Sequence, residues 1–213
     1  MAELTIQPDG TDGIDSFVNE RAPTTNNGTQ YYFEVGFRPE GGKKYRAFLK
    51  FDLSDIPAGQ QIDSAILSIY QWHTNESLNV SLTLSANQIT EDWAEGTVTW
   101  NAQPAINASA EDTDTNNTLG ETGSQWWDWD ITDLVAGWYG ESITNYGVAI
   151  KDNAESSSVA CIILYSSDYT DDTSLRPKLV VNYSASAPSA PDVTTNYLKY
   201  YRRTRFPGAV SGV

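Results

Sequence analysis

Cysteine is nearly absent from this chain. Cys161 is the only one, so no disulfide can close within it. The run Ala160-Cys161-Ile162-Ile163-Leu164 predicts a buried structural thiol, because a reactive thiolate needs an electropositive, accessible setting. Histidine is equally scarce: His73 stands alone, and one histidine with one cysteine does not make a zinc site. A Ser-His-Asp triad would have to use His73, yet no Gly-x-Ser-x-Gly motif accompanies it, so we expect a lone histidine on a surface loop. Positive charge is short as well: 13 Lys+Arg stand against 28 Asp+Glu, a net charge of -15. A body of that sign repels phosphate backbones, which excludes nucleic acid as its partner. No apolar run reaches the length of a membrane-spanning helix, so no membrane partner is expected. Met1-Ala2-Glu3-Leu4-Thr5 shows neither the basic segment nor the apolar core of a signal peptide. Two origins fit: a chain mounted on an assembly without Sec export, or a piece of a secreted parent.

What the chain does have is strand-like alternation. In Leu49-Lys50-Phe51-Asp52-Leu53, the apolar residues fall on one face and Lys50 and Asp52 on the other, the period of a sheet with one dry side. Ile56-Pro57-Ala58-Gly59 then stops the strand, since proline removes a donor and glycine permits positive φ. Further strands are predicted over residues 30–37, 45–53, 62–72, 79–89, 125–131, 146–151, 159–166 and 177–183, separated by turn residues. Strands at this spacing with little helix give an all-β fold, a jelly-roll-like antiparallel β-sandwich with one short helix and an extended C-terminal tail. Asp130 or Thr132 is expected to cap that helix, Leu134, Val135 and Trp138 to form its buried stripe, and Gly140 to end it. No internal repeat is evident.

The composition changes at Ser184. Residues 1–183 read as the sandwich, 184–195 as a Pro/Ser/Ala linker and 196–213 as a basic, aromatic anchoring tail. Held semi-extended by Pro188 and Pro191, the linker spans roughly 35 Å at about 3.1 Å per residue. Four basic residues (Lys199, Arg202, Arg203, Arg205) against Asp192 give the part from Ser184 onward a net +3, so the chain's -15 leaves -18 on the body. Tyr197, Tyr200, Tyr201 and Phe206 are more aromatics than a free tail needs, and Tyr, Phe and Arg are enriched at interface cores. The tail, through Tyr197, Lys199, Tyr200, Tyr201, Arg202, Arg203, Arg205 and Phe206, is therefore expected to dock onto other protein subunits of an oligomer or larger assembly.

Four segments in order carry a resemblance. They are residues 46–59, from Arg46-Ala47-Phe48 through Ile56-Pro57; Asp92-Trp93-Ala94-Glu95-Gly96-Thr97-Val98-Thr99-Trp100-Asn101 with Gln103-Pro104; Trp126-Trp127-Asp128-Trp129-Asp130-Ile131-Thr132 with Leu134-Val135 and Trp138; and Tyr165-Ser166-Ser167-Asp168 with residues 176–183. Together they resemble the DNRLRE-domain family, which is related to the disaggregatase-related repeats and to a carbohydrate-binding-module family. The resemblance covers roughly residues 4–183. It implies a jelly-roll-like sandwich used in extracellular polysaccharide binding and cell-surface structures, without catalysis.

Seven tryptophans suit sugar binding, since an aromatic face stacks on a pyranose ring. Trp93, Trp100, Trp129 and Trp138 lie within the resembling motifs and are expected in the core. Trp126 falls on the strand face opposite Trp127 and Trp129, and Trp72 sits at a strand end beside His73, so Trp72 and Trp126 are the candidate carbohydrate-binding residues. No cofactor is expected. Acidic groups (Asp9, Asp12 and Asp15; Glu111, Asp112 and Asp114; Asp168, Asp171 and Asp172) are of the oxygen-ligand kind that calcium takes, but none matches an EF-hand loop, and each reads first as a solvated acidic rim. No catalytic residue is nominated. The leading expectation is a non-enzymatic structural protein on the exterior of an assembly such as a phage virion (decoration, fibre or tail component). The alternative is a carbohydrate-binding module of a secreted polysaccharide-active or cell-surface protein.

Overall fold

A computed structural model describes residues 1–38, 41–74, 80–119, 124–155 and 160–186. Their strands are β1 (Ala2–Ile6), β2 (Ile14–Asn19), β3 (Tyr32–Arg38), β4 (Lys43–Lys50), β5 (Gln60–Thr74), β6 (Val80–Gln88), β7 (Asp112–Leu119), β8 (Gln125–Asp130), β9 (Val148–Asp152), β10 (Cys161–Tyr165) and β11 (Lys178–Ala185). One helix, α1 (Thr132–Tyr139), and a 3-10 turn at Thr173–Leu175 complete the described set. The expected all-β architecture is present, with every strand pair antiparallel.

The hydrogen-bonded path runs β1-β11-β5-β10-β3-β4-β9-β6-β7, with β2 added on β4 and β8 on β5. Two strands change partner along their length. β5 pairs β11 through Ser68 and β10 from Gln71 onward; β4 pairs β3 up to Tyr45 and β2 from Tyr45 onward. These exchanges curl the sheet, so that its halves face each other across one dry interior. Trp127 and Trp129 of β8, Leu67 and Ile69 of β5, Leu82 and Leu84 of β6, and Ala47 and Leu49 of β4 share that core, with Leu134, Val135 and Trp138 of α1 sealing one part of it. The Trp129 indole N–H donates across the core to the Leu84 carbonyl of β6 at 3.3 Å.

The curl is closed by side chains rather than by a ladder. The Asp112 and Asp114 carboxylates of β7 accept the Asp130 and Asp128 backbone N–H groups of β8 at 2.9 and 3.0 Å. Donors on the free edge of β8 are thereby satisfied, which an unpaired edge requires.

The single dry side read over Leu49 to Leu53 is present there, with Lys50 and Asp52 outward, but β4 ends at Lys50 and is covered on both faces at Ala47 and Phe48. Phe48, on the face opposite Ala47 and Leu49, is fully buried in a second cluster with Val18, Ile89, Val98 and Ala149. Residues 90–107 fold over that outer face, and Trp93, Trp100 and Ile106 pack on it. The Trp93 N–H donates to the Tyr146 carbonyl at 2.8 Å. Thus Trp129 and Trp138 are core as expected, while Trp93 and Trp100 are half-buried in a satellite cluster. The predicted buried stripe of α1 is present, and Gly140 follows its last residue. Neither expected cap stands at the cap position, which Ile131 holds. Asp130 instead accepts the Thr132 N–H and hydroxyl, and the Thr132 hydroxyl accepts the Ala65 N–H of β5 at 2.9 Å, fixing the helix to the sheet.

Two glycines separate conformational need from steric need. Gly59 takes φ 79°, as the turn reading requires, with nothing within 4 Å of an added Cβ. Gly36 takes φ 133°, and an added Cβ would stand 2.2 Å from the Ala160 carbonyl oxygen. Gly59→Ala is therefore expected to lower stability by only about 1 kcal/mol, and Gly36→Ala by about 3 kcal/mol or more, read as the shift of the urea midpoint at constant m. Equal shifts would show that the close approach of β3 to Ala160 is not built as described.

Candidate functional site

On β5, odd-numbered Ala65, Leu67 and Ile69 enter the core, so Ser64, Ile66, Ser68 and Tyr70 face outward. The neighbours continue that outer face with aromatic residues. Tyr70 pairs directly with Trp126 of β8, and their rings meet edge-on at 5.3 Å. On the other side of β5, Tyr165 of β10 lies parallel to Tyr70 at 6.0 Å and to Trp72 at 5.9 Å. Tyr169 stacks on Tyr165 at 3.6 Å, and Tyr31 follows at 6.4 Å from Tyr169. The two tryptophans nominated from sequence are thus linked through Tyr70 and Tyr165 in one aromatic row, which runs on from Tyr165 to Tyr169 and Tyr31.

A β-bulge falls at Trp72. β10 pairs Ile163 with His73 and Leu164 with Gln71, which leaves Trp72 as the extra residue on β5. Bulges bend a strand and re-aim a side chain, and they recur beside functional sites. The Trp72 indole N–H is buried without a hydrogen-bond partner among the described residues. His73 lies within β5, paired in the sheet, and not on a surface loop as expected. Strand β5 runs two residues beyond Trp72, so Trp72 lies inside the strand rather than at its end.

At the Tyr31 end, the surface folds in to form an open cleft of about 690 Å³ lined by Tyr31, Trp72, Tyr165, Asp168, Tyr169 and Asp171, with Thr29 and Thr170. Its size is that of a small-ligand site. The loop after β10 is held firmly. The Ser166 hydroxyl donates to the Gln30 carbonyl at 2.7 Å, the Ser167 N–H to the Asp15 carboxylate at 2.9 Å, and the Arg176 Nε–H to the Tyr169 carbonyl at 2.7 Å. Burial pushes the Asp168 carboxyl above its ordinary value, with Arg176 acting in the opposite sense. The Tyr165 phenol is pushed up strongly by burial, then by the Tyr169 hydroxyl beside it, with Asp171 adding to the effect. The cleft thus combines aromatic surface with negative potential.

At the other end, the Lys178 ammonium lies 4.1 Å from the centroid of the Trp126 ring. That distance is well within cation–π range.

The acidic groups named from sequence do not converge as units. Asp9 holds the Thr11 and Asp12 N–H groups in a tight exposed turn, while Asp15 is buried. Asp112 and Asp114 are used on the backbone of β8. Asp172 accepts the Ser174 N–H and hydroxyl at the start of the 3-10 turn, apart from the cleft that Asp168 and Asp171 line. Among the described residues, no group of three or more His, Cys, Asp or Glu side chains is placed to hold a metal ion. The tail residues from Tyr197 to Phe206 lie outside the described residues.

Sequence reasoning did not single out Tyr31, Tyr70, Tyr165 and Tyr169, which the structure places in the row and cleft. The Tyr70-x-Trp72 spacing was a legible signal, because a period of 2 puts both on one strand face. Tyr31 and Tyr169 join only through tertiary pairing of β3, β10 and the loop that follows.

No curated protein matches the chain. The carbohydrate-binding-module side of the resemblance is the one that a family match supports. The model of carbohydrate-binding module family 96 matches residues 10–183, and on that span the chain belongs to this family.

Proposed function

We propose that the sandwich is a non-catalytic polysaccharide-binding module whose ligand lies along the row Trp126, Tyr70, Tyr165, Trp72 and into the cleft at Tyr169 and Tyr31. The observation that carries this reading is the continuity of that row on the outer face of one sheet, in a chain of a carbohydrate-binding family. A pyranose presents an apolar face of C–H groups, and burying it against half-exposed rings gains apolar contact while its hydroxyls stay wet. The unpaired Trp72 N–H supplies a donor that a small movement would offer to a sugar oxygen. Set on strands, the rings of Trp126, Tyr70, Tyr165 and Trp72 are held in place before the ligand arrives.

This reading displaces the virion-exterior one, since the family match bears on glycan binding and no observation bears on a particle. Docking of the basic tail onto other protein subunits is a proposal that rests on its charge and aromatic content.

Affinity electrophoresis of the full chain through gels containing soluble polysaccharides tests the reading. At least one polysaccharide is expected to retard the chain. Trp72→Ala and Tyr169→Ala are each expected to weaken that retardation by about tenfold or more, as the loss of a central aromatic anchor does. Both side chains are half-exposed, so the variants keep the fold. Unchanged retardation in the double variant would overturn the assignment of the face.

A further inference from the structure

Strand edges on this body are guarded by side chains, and β1 is the exception. On the side of β8 away from β5, the Asp112 and Asp114 carboxylates take the backbone N–H groups. On β2, the Asp15 N–H donates to the Glu95 carboxylate at 3.2 Å, and the Asn27 amide donates to the Phe17 carbonyl at 2.9 Å. β1 stands at the end of the strand path with β11 as its partner, and among the described residues no side chain or loop bonds to its outer edge. It carries no proline, no lysine and no bulge, the usual devices that keep a further strand away. Its sequence, Ala2-Glu3-Leu4-Thr5-Ile6, turns Leu4 and Ile6 toward the core and leaves Glu3 and Thr5 exposed on the outer face.

We propose that a second copy of this chain pairs on that edge, β1 against β1, antiparallel about a twofold axis at Leu4, so that two sheets become one. In this register Leu4 stands opposite Leu4, Ala2 opposite Ile6 and Glu3 opposite Thr5. All five residues of each strand are then paired, no like charges meet, and the half-covered Leu4 and Ile6 gain an apolar cover across the seam. Moving the axis to Glu3 sets Glu3 against Glu3. Moving it to Thr5 draws in Gln7 and Pro8, which lie outside the strand. The net charge of -15 on each copy opposes the contact. A five-residue seam also buries less than the roughly 1,200 Å² of a stable interface, so a Kd on the order of 100 μM is expected, tightening as salt screens the repulsion. An axis of this kind keeps both outer faces on one side. Val180 of β11 is paired with Ile66 of β5 and with Thr5 of β1, so Glu3 and Thr5 share the face that carries Tyr70 and Trp126. The two aromatic rows of the pair look the same way, and one polymer can engage both. That consequence rests on the glycan-binding reading; the pairing does not.

Sedimentation equilibrium of the full chain, without any glycan, tests the pairing across about 10–1,000 μM in about 0.15 and about 0.5 M salt. A monomer–dimer equilibrium is expected, tighter at the higher salt. Glu3 and Thr5 are both exposed, so their variants keep the fold. In the parent, Thr5→Glu sets a carboxylate opposite Glu3 at both ends of the seam and is expected to weaken the dimer about fivefold. In a Glu3→Lys background, the same Thr5→Glu change sets a carboxylate opposite an ammonium and is expected to tighten the dimer about fivefold. Both steps add one negative charge per chain, so the reversal of sign reports the facing pair and not the net charge. A chain that stays monomeric at the highest concentration in high salt would overturn the proposal. A dimer that Thr5→Glu leaves unchanged in both backgrounds would place the contact elsewhere than β1. Weakening in both backgrounds would overturn the axis at Leu4.

Discussion

Arg46→Ala is expected to lower the stability of the chain by roughly 3 kcal/mol, and to loosen residues 90–107 before the rest of the body unfolds. Arg46 stands on the outer face of β4, where its guanidinium makes three kinds of contact at once. Its Nε and Nη2 donate to the two oxygens of Glu155 at 2.6 and 2.7 Å, and its Nη1 donates to Gln103 at 2.9 Å. Its guanidinium carbon lies 5.1 Å from the Trp100 ring centre. Side-chain exposures of 17% for Arg46 and 14% for Glu155 place the pair between a surface bridge, worth little, and a fully buried one. Removing the cation leaves Glu155 charged and half-buried without its partner, and frees Gln103 and Trp100 together. Arg46→Lys keeps the charge but not the fork, so it is expected to recover less than half of the loss. Arg46→Met with Glu155→Gln is expected to lie closer to the parent, because neither variant side chain strands a charge. Chemical denaturation gives the stabilities, and tryptophan emission reports the loosening of Trp93 and Trp100. A loss under about 0.5 kcal/mol for Arg46→Ala would show the bridge to be an ordinary surface pair.

Arg46, Trp100 and Gln103 were already together on paper, inside two of the segments that carry the family resemblance. What sequence alone did not reveal was their contact. The same division runs through the fold. β5, β6 and β8 were legible because alternation is strong where one face meets the core and the other meets water, as in Leu82-Thr83-Leu84 and Trp127-Asp128-Trp129. β7 was not, because Asp112-Thr113-Asp114-Thr115-Asn116 has no apolar period; its place is decided by pairing with β6 and by carboxylates turned onto β8. β2 was missed because Asp15 and Ser16 interrupt its apolar signal, though both are buried. β1 lies on the edge, with only Leu4 and Ile6 partly covered. β4 misled in the other direction: a polar residue at every second position described its end near Lys50 and Asp52, while Phe48 needed a cover that only residues 90–107 supply. For the site, face parity sufficed to select Trp126 over its two tryptophan neighbours. The bulge at Trp72, and the place of Tyr165 between Tyr70 and Trp72, depend on which strand lies beside β5, and no local pattern specifies that.

Asp15→Asn is expected to remove most of the pH dependence of stability between about pH 4 and 7, and to be the more stable form at pH 8. Asp15 is 4% exposed at the start of β2, and its carboxylate accepts a single backbone donor, the Ser167 N–H. Burial pushes its carboxyl up to about 7, opposed by that N–H and the neighbouring Ser167 hydroxyl and reinforced by the Glu95 and Asp168 charges. Glu95, whose carboxylate accepts the Asp15 N–H, and Asp168 are themselves pushed up by burial. Between its ordinary value and about 7, the unfolded chain has lost the Asp15 proton and the folded chain keeps it. The folded state then binds more protons, and stability falls as pH rises through this window. Above about 7, both states are ionised and the full penalty of the buried charge is present, on the order of 4 kcal/mol, or roughly 10 °C in Tm for a chain of this size. Asparagine keeps an acceptor for the Ser167 N–H and brings no charge, so its stability should follow the parent near pH 4 and exceed it at pH 8. The consequence reaches the cleft, because Ser167 precedes the two cleft residues Asp168 and Tyr169. An ionised Asp15 repels the Asp168 carboxylate, so the loop that carries Asp168 and Tyr169 is expected to loosen from pH 6 to pH 8 more in the parent than in Asp15→Asn. Melting temperatures at pH 4, 6 and 8, with amide hydrogen exchange of residues 166–169 at the last two, measure both effects. Parallel curves for the two proteins would mean that Asp15 stays ionised in the fold and that the cleft loop is held without its proton.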